Sequence, residues 1–233
     1  MLLLFAGGCE LRRADGPVTG SEGARAEIAA ARSDVNDTCR YQLELFLDAV
    51  GVLDRIGAPR SRVALARTLG GENAALSQMQ GTFERLLQCR SIEAQRLRTD
   101  LADGRLSRRQ AGLRMEALRS RMRRDLVIAN QVTTRVSARS EELNRAAGEV
   151  LAGRRLPSFT QFASAPEAAA GRAPPAPAPN PATGRGSNED LRTLAATNIA
   201  YRDNFQQTLA QAEESLPSTF ELPGLFSGFE LGS

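Results

Sequence analysis

The sequence contains no lysine, no histidine and no tryptophan, and all 30 of its basic residues are arginine. Without lysine, the chain has neither a Schiff-base amine nor the lysine of a phosphate-binding P-loop. Without histidine, it has no imidazole for proton transfer, for a Ser-His-Asp triad or for a histidine metal site. We therefore expect a protein that is not an enzyme, with no catalytic residue, cofactor, metal ion or small-molecule substrate.

Aromatic residues are also scarce, at 5% of the 233 residues. Large aromatic side chains dominate compact cores and binding hot spots. A chain rich in Ala, Leu, Arg and Glu is typical of long helices that pack in thin bundles. The composition therefore predicts an all-α protein built as an elongated antiparallel bundle or coiled coil of three long helices.

The N-terminus is a short apolar run that ends in Ala6-Gly7-Gly8-Cys9. It resembles the end of a bacterial lipoprotein signal peptide, in which a Leu-Ala-Gly-Cys lipobox is cleaved before a cysteine that is then lipidated. The first position departs from that pattern, because Leu is usual where Ala6 stands. Since a signal peptide needs a longer apolar stretch than residues 1–8 provide, we expect the true start codon to lie upstream.

The resemblance implies that residues 1–8 are a signal-peptide remnant and that Cys9 carries the lipid. The protein would then be anchored to a membrane of the bacterial cell envelope and would face the periplasm. The alternative is a cytoplasmic protein whose apolar N-terminus packs on a helix.

Proline, glycine and the apolar spacing divide the rest of the chain. Residues 9–20 are predicted to be a flexible tether. Residues 21–155 contain three apolar stripes at three- and four-residue steps, which predict a helical bundle. Residues 156–186 hold seven of the eleven prolines and predict a disordered Pro/Ala-rich linker. Residues 187–216 predict a separate amphipathic helix, followed by a Phe-containing tail at 217–233.

Turn and cap residues predict where the helices of the bundle begin. The first is expected to start at Ser21 and to run unbroken to Gly57, and residues 60–71 are expected to connect it to the second. The second should begin near Glu72, and the third should follow Ser107 as its N-cap.

Cys39 and Cys89 are candidates for a disulfide. If Cys9 is lipidated, these two thiols lie in an oxidising compartment, which favours a bridge. Antiparallel helices joined through residues 60–71 would also bring the two cysteines to the same height. Cys89 lies off the apolar stripe of its helix, however, so two buried free cysteines are the alternative.

Arginine is concentrated before the linker, where residues 21–155 carry 24 Arg against 17 acidic residues. The arginines of the third helix are expected to form a solvated face that is partly paired with carboxylates such as Glu116 and Asp125. The alternative is a surface that binds an anionic polymer or a membrane. No nucleic-acid-binding module is recognisable, so nucleic acid is not the expected partner. The candidate residues are Arg108, Arg109, Arg114, Arg119, Arg121, Arg123 and Arg124.

The C-terminal helix is expected to bind a partner. Ser187 and Asp190 form a capping box, and Asn198 interrupts the apolar stripe as a register-setting polar residue would. The helix is expected to bind another envelope protein or a second copy, or to dock on the basic bundle. The aromatic residues of the tail are expected to fold onto the bundle, and a peptide ligand for a partner protein is the alternative. The candidate partner-binding residues are Leu191, Leu194, Tyr201, Phe205, Leu209, Phe220, Phe226 and Phe229.

Taken together, these features predict a lipid-anchored envelope scaffold or adaptor with a periplasmic helical bundle and a C-terminal partner-binding segment. Two alternatives stay open: an arginine-rich module for an anionic polymer or membrane surface, and a cytosolic coiled-coil protein.

Overall fold

The structure, a computed structural model, describes residues 28–162, except Ala30 and Val35, and residues 187–220. The described part of the chain is helical and contains no strand, which confirms the all-α prediction. The longest helix has 44 residues and is about 66 Å long. None of the described helices is both long and apolar enough to cross a membrane. The main helices are α1 (Arg40–Asp54), α2 (Arg62–Ala102), α3 (Arg108–Leu151) and α4 (Asn188–Thr219).

The four helices pack as one bundle, with α2 in contact with the other three. A turn at residues 103–107 folds α3 back along α2. The chain leading into α1 and α1 itself run parallel to α3, because Asp34 pairs with Arg121 and Asp54 pairs with Arg135. A disulfide between Cys39 and Cys89, with Cα atoms 5.9 Å apart, joins the start of α1 to α2.

The prediction of a separate C-terminal helix is wrong, because α4 is the fourth helix of the bundle. It lies antiparallel to α3, with Gln206 bonded to Ser137 at 2.9 Å. Phe205 of α4 also contacts Phe46 of α1 and Phe83 of α2, with ring centroids 6.5 and 5.5 Å away. An amphipathic helix has to cover its apolar face, and here the same chain covers it.

The core consists of two apolar clusters separated by a polar layer. The larger cluster fills the part of the bundle nearer the α2–α3 turn, and the smaller one lies at the opposite end, around Leu65, Leu143 and Leu191. Between them lie buried polar side chains that include Glu72 and Asn198. The polar layer thus crosses the bundle and separates the apolar cluster at one end from the apolar cluster at the other.

Helices α2, α3 and α4 each begin directly after a serine that caps the helix. Ser107 with Gln110 and Ser187 with Asp190 form capping boxes, which confirms both predicted N-caps. The predicted start of the second helix is wrong. Ser61 caps α2 by accepting a hydrogen bond from the N–H of Ala64 at 3.1 Å, so α2 begins ten residues before Glu72.

The predicted connection at residues 60–71 is therefore mostly the first part of α2. Gly70 and Gly71 lie inside the helix, although glycine is unfavourable there. Leu65 and Leu69 are fully buried in the smaller cluster. Their burial outweighs the low helix propensity of the glycine pair.

The predicted unbroken first helix is also wrong. Helical residues up to Ser33 are followed by a break before α1 begins at Arg40. Within the break, Asp34 accepts from the N–H of Asn36 at 3.2 Å and Asp37 accepts from the N–H of Cys39 at 2.9 Å. Such local hydrogen bonds compete with helical ones. The predicted start at Ser21 lies outside the described residues.

The segment predicted as linker begins with residues that pack on the bundle. Phe159 and Phe162 contact the smaller cluster. Glu142 accepts hydrogen bonds from the N–H groups of Thr160, at 2.6 Å, and Gln161, at 2.9 Å. Burial raises the pKa of the Glu142 carboxyl, but these donors outweigh it and hold that pKa below its usual value. Helix α4 also runs three residues beyond the predicted end, to Thr219.

We expect the disulfide to contribute a large share of the stability of the bundle. Replacing both cysteines, C39S/C89S, should lower the free energy of unfolding by about 3 kcal/mol, because the bridge closes a loop of 50 residues in the unfolded chain. Urea unfolding without reductant measures this difference. C9S serves as the control and should leave the unfolding free energy unchanged; equal stability of all three chains would contradict the prediction.

Candidate functional site

The most constrained polar site is a buried ionic cluster around Arg90. The side chain of Arg90 is 1% exposed and carries a bidentate ion pair with Asp37, in which Nη2 lies 2.8 Å from Oδ2. Its Nε donates to Oδ2 of Asp125, also at 2.8 Å. The three residues come from the segment before α1, from α2 and from α3. One guanidinium therefore ties three parts of the chain together.

Burial governs the electrostatics of this cluster. Loss of water raises the pKa of Asp125 to about 6, although Arg90 opposes the shift. Burial also disfavours the charged form of Arg90, but the hydrogen bonds and charges of Asp37 and Asp125 outweigh it and raise the pKa of Arg90. The guanidinium thus stays charged, whereas burial favours the neutral form of Asp125.

A second layer of charges continues the cluster toward the surface. Arg121 donates from Nε to Asp34 at 2.9 Å and lies 3.8 Å from Glu93. The hydrogen bond from Arg121 lowers the pKa of Asp34. Asp37, Cys39 and Glu93 bring possible metal-ligand atoms within 4.8 Å of one another. We assign no metal site there, since the sulfur of Cys39 is bonded to Cys89 and Asp37 binds Arg90.

Asn198 is the centre of the polar layer, where the prediction placed a polar interruption of the α4 stripe. It is fully buried and donates to Oδ1 of Asn73 on α2 at 3.0 Å. Its own Oδ1 accepts from Asn144 of α3 at 2.9 Å and is bonded to Ser140. These bonds fix the register of α4 against both α2 and α3, as a buried asparagine does in a coiled coil.

Arg139 lies in the same polar layer, on the side that faces α1. It donates to the backbone carbonyl of Leu53 at 2.9 Å and pairs with the buried Glu72 at 3.4 Å. Its guanidinium also lies 4.5 Å from the ring centroid of Phe162. Burial raises the pKa of Glu72 despite the charge of Arg139. These contacts join α3 to α2, to α1 and to the segment after α3, so the layer holds these elements together.

The predicted anionic-binding residues divide into two groups. Arg119 and Arg121 bind within the molecule, Arg119 to Glu116 and to the carbonyl of Phe220 and Arg121 to Asp34. Arg124 is half-buried. The others are exposed and have no partner among the described residues. This exposed group consists of Arg108, Arg109, Arg114 and Arg123.

Most of the predicted partner-binding residues lie inside the bundle. Leu191, Phe205, Leu209 and Phe220 are at most 3% exposed, and Leu194 and Tyr201 pack against the two clusters. Their apolar faces bind α2 and α3 of the same chain, so they are not available to another protein. Docking on the bundle, one of the alternatives predicted for this helix, is what these residues do. Cys9, Phe226 and Phe229 lie outside the described residues.

The sequence prediction missed the buried pair of Arg90 and Asp125, although a signal was present. Arg90 lies four residues after Leu86 and four before Ala94, so it occupies the apolar stripe of α2. Asp125 lies beside Leu126 in the stripe of α3. A charge at a core position of one helix requires an opposite charge at the same level of a neighbour.

Comparison of the chain with protein-family models, with curated proteins and with solved structures found no match. The residues of the bundle themselves are therefore the basis for assigning a function.

Removing the central cation should strongly destabilise the bundle. In Arg90→Met, Asp37 and Asp125 stay buried without a positive partner, and we expect a loss of about 3–5 kcal/mol of unfolding free energy. Arg85→Met is the matched control, because Arg85 is exposed on the same helix. Chemical denaturation of both variants distinguishes them; equal effects would show that Arg90 does not hold the core together.

Asp125 should give the stability a distinctive pH dependence. Its folded-state pKa of about 6 exceeds the ordinary value of 3.8. As the pH falls, Asp125 is therefore protonated at a higher pH in the folded chain than in the unfolded chain. Asp125 therefore adds stability as the pH falls from about 6 toward 4, by up to about 1.4 kcal/mol per pH unit. Urea unfolding near pH 7 and near pH 4.5, compared with Asp125→Asn, isolates this contribution. Parallel pH profiles of the two chains would contradict the raised pKa.

Proposed function

We propose that this protein is a lipid-anchored scaffold of the bacterial cell envelope, attached through Cys9 and carrying its four-helix bundle in the periplasm. The observation that carries the proposal is the disulfide between Cys39 and Cys89, together with the lipobox-like Ala6-Gly7-Gly8-Cys9. Structural disulfides persist in oxidising compartments such as the periplasm and are rare in the cytosol. The bridge therefore favours the envelope over a cytosolic coiled-coil protein.

A scaffold role is supported by what the polar residues of the bundle do. The ionic cluster at Arg90 and the layer at Asn198 are used to join helices, and both are buried. A body about 66 Å long, fixed by a disulfide and two polar cross-links, suits holding other components at a set distance. Because the apolar face of α4 is covered, we assign partner binding to the tail, with Phe226 and Phe229 as its aromatic candidates.

The anchor is tested by expressing the gene together with the DNA upstream of Met1 in a bacterial host and measuring the intact mass in membrane and soluble fractions. We expect cleavage before Cys9, an added acyl mass and recovery with membranes, since several acyl chains on one cysteine anchor stably. Labelled palmitate should enter the wild type and not Cys9→Ser. In the same sample, Cys39 and Cys89 should resist alkylation without reductant.

A soluble chain with an unmodified Cys9 would remove the anchor. If Cys39 and Cys89 were also alkylated, the cytosolic coiled-coil reading would replace the envelope scaffold.

A further inference from the structure

The positive charge of this protein is concentrated at one end of the bundle. The hairpin end, defined here as residues 95–124 with the α2–α3 turn, carries ten Arg against three acidic residues. The rest of the chain carries 20 Arg against 24 acidic residues. The net positive charge of the whole protein thus arises from the hairpin end alone.

The acidic residues of the hairpin end are already paired. Asp100 and Asp103 both bind Arg105, at 2.9 and 2.7 Å, and Glu116 binds Arg119 at 3.1 Å. By contrast, Arg108, Arg109 and Arg114 are exposed and have no partner among the described residues. These three, the unpaired arginines, lie within about 9 Å of one another along the axis of α3.

The positions of Arg108 and Arg109 are unfavourable for the helix that carries them. Arg108 and Arg109 are the first two residues of α3, and no acidic residue lies in its first turn. The N-terminus of a helix carries a partial positive charge, which favours acidic residues and disfavours cations. Leu113, 67% exposed, lies between Arg109 and Arg114 in the sequence. Cations and one apolar side chain at a helix start match the headgroup region of an anionic membrane.

The path of the N-terminal segment brings the same end toward the lipid anchor. The chain before α1 runs parallel to α3, with Asp54 at Arg135 and Asp34 at Arg121. Before Asp34, Ala31 and Ile28 pack in the larger apolar cluster, which lies nearer the α2–α3 turn. The residues from Cys9 to Ile28 span at most about 65 Å when extended, close to the length of the bundle itself. The chain between Cys9 and Ile28 is therefore long enough to place a lipid on Cys9 beside the hairpin end without being fully extended.

We infer that the hairpin end of the bundle binds the anionic phospholipid surface of the membrane through Arg108, Arg109 and Arg114. The inference rests on the proposed lipid anchor at Cys9 and adds an orientation to it. The α2–α3 turn faces the membrane, and the end with the smaller apolar cluster points away from it. Electrostatic contact with headgroups then holds the bundle upright on its tether.

The test uses the full chain with Cys9→Ser, which cannot be lipidated, and vesicles of phosphatidylcholine with or without phosphatidylglycerol. We expect binding to the anionic vesicles that weakens with salt and exceeds binding to the zwitterionic ones. R108Q/R109Q/R114Q should weaken it about 100-fold, because each basic side chain at an anionic surface contributes several-fold. The matched control R55Q/R60Q/R67Q removes the same charge from exposed arginines elsewhere in the chain and should leave the affinity within about threefold.

Three results would overturn the inference. Equal loss of binding in both triple variants would show a general charge effect, and no loss in either would show that the hairpin end does not touch lipid. Tighter binding to a DNA duplex than to anionic vesicles, lost in the hairpin variant, would assign the surface to a soluble polyanion instead. Thermal melting should show the hairpin variant as stable as the wild type or more so, since it removes cations from a helix N-terminus. Failure of the anchor itself appears only in the lipidation experiment, because these chains carry no lipid.

Discussion

A single guanidinium inside the core sets the arrangement of most of this molecule. Arg90 can be buried only if carboxylates surround it, and the two that do so, Asp37 and Asp125, come from different parts of the chain. The break before α1 places Asp37 where it reaches Arg90, and the disulfide through Cys89 lies at the neighbouring position of α2. Helix α2, helix α3 and the segment that precedes α1 are therefore held at one level. Sliding any of the three along the bundle would leave a charge buried without a partner.

The polar layer at Asn198 performs the same task for α4. Apolar stripes such as those of the two clusters pack comparably well in several registers, because one leucine replaces another at little cost. The fully buried Asn198 donates to Asn73 and its oxygen is bonded to Asn144 and Ser140, and these hydrogen bonds are satisfied in one register only. The Arg90 cluster and this layer thus lie in different parts of the bundle. The apolar residues around them supply most of the surface that is buried.

The parts of this fold that depend on local chemistry could be predicted from the sequence. Ser107 and Ser187 mark helix starts because a cap needs only the next three residues, and Asn198 stands out against its own stripe. The start of α2 could not be predicted, because Gly70 and Gly71 disfavour a helix locally whereas the burial that overrides them comes from α3 and α4. The docking of α4 was only one of three alternatives from the sequence, since an apolar stripe shows that a face is covered and not what covers it. Which arginines of α3 are paired and which are exposed could not be predicted either, because that depends on the direction each position faces and on the element packed beside it.

The two ends of the Pro/Ala-rich segment meet at the same place. Phe162, just before it, and Leu191, just after it, contact the same smaller apolar cluster, at the end of the bundle opposite the α2–α3 turn. The length of the intervening chain therefore does not determine where α4 lies. Lengthening a closed loop is inexpensive, at about 0.6 kcal/mol for each doubling. This stretch can gain or lose residues, or accept an inserted peptide or domain, while the helices on either side keep their positions.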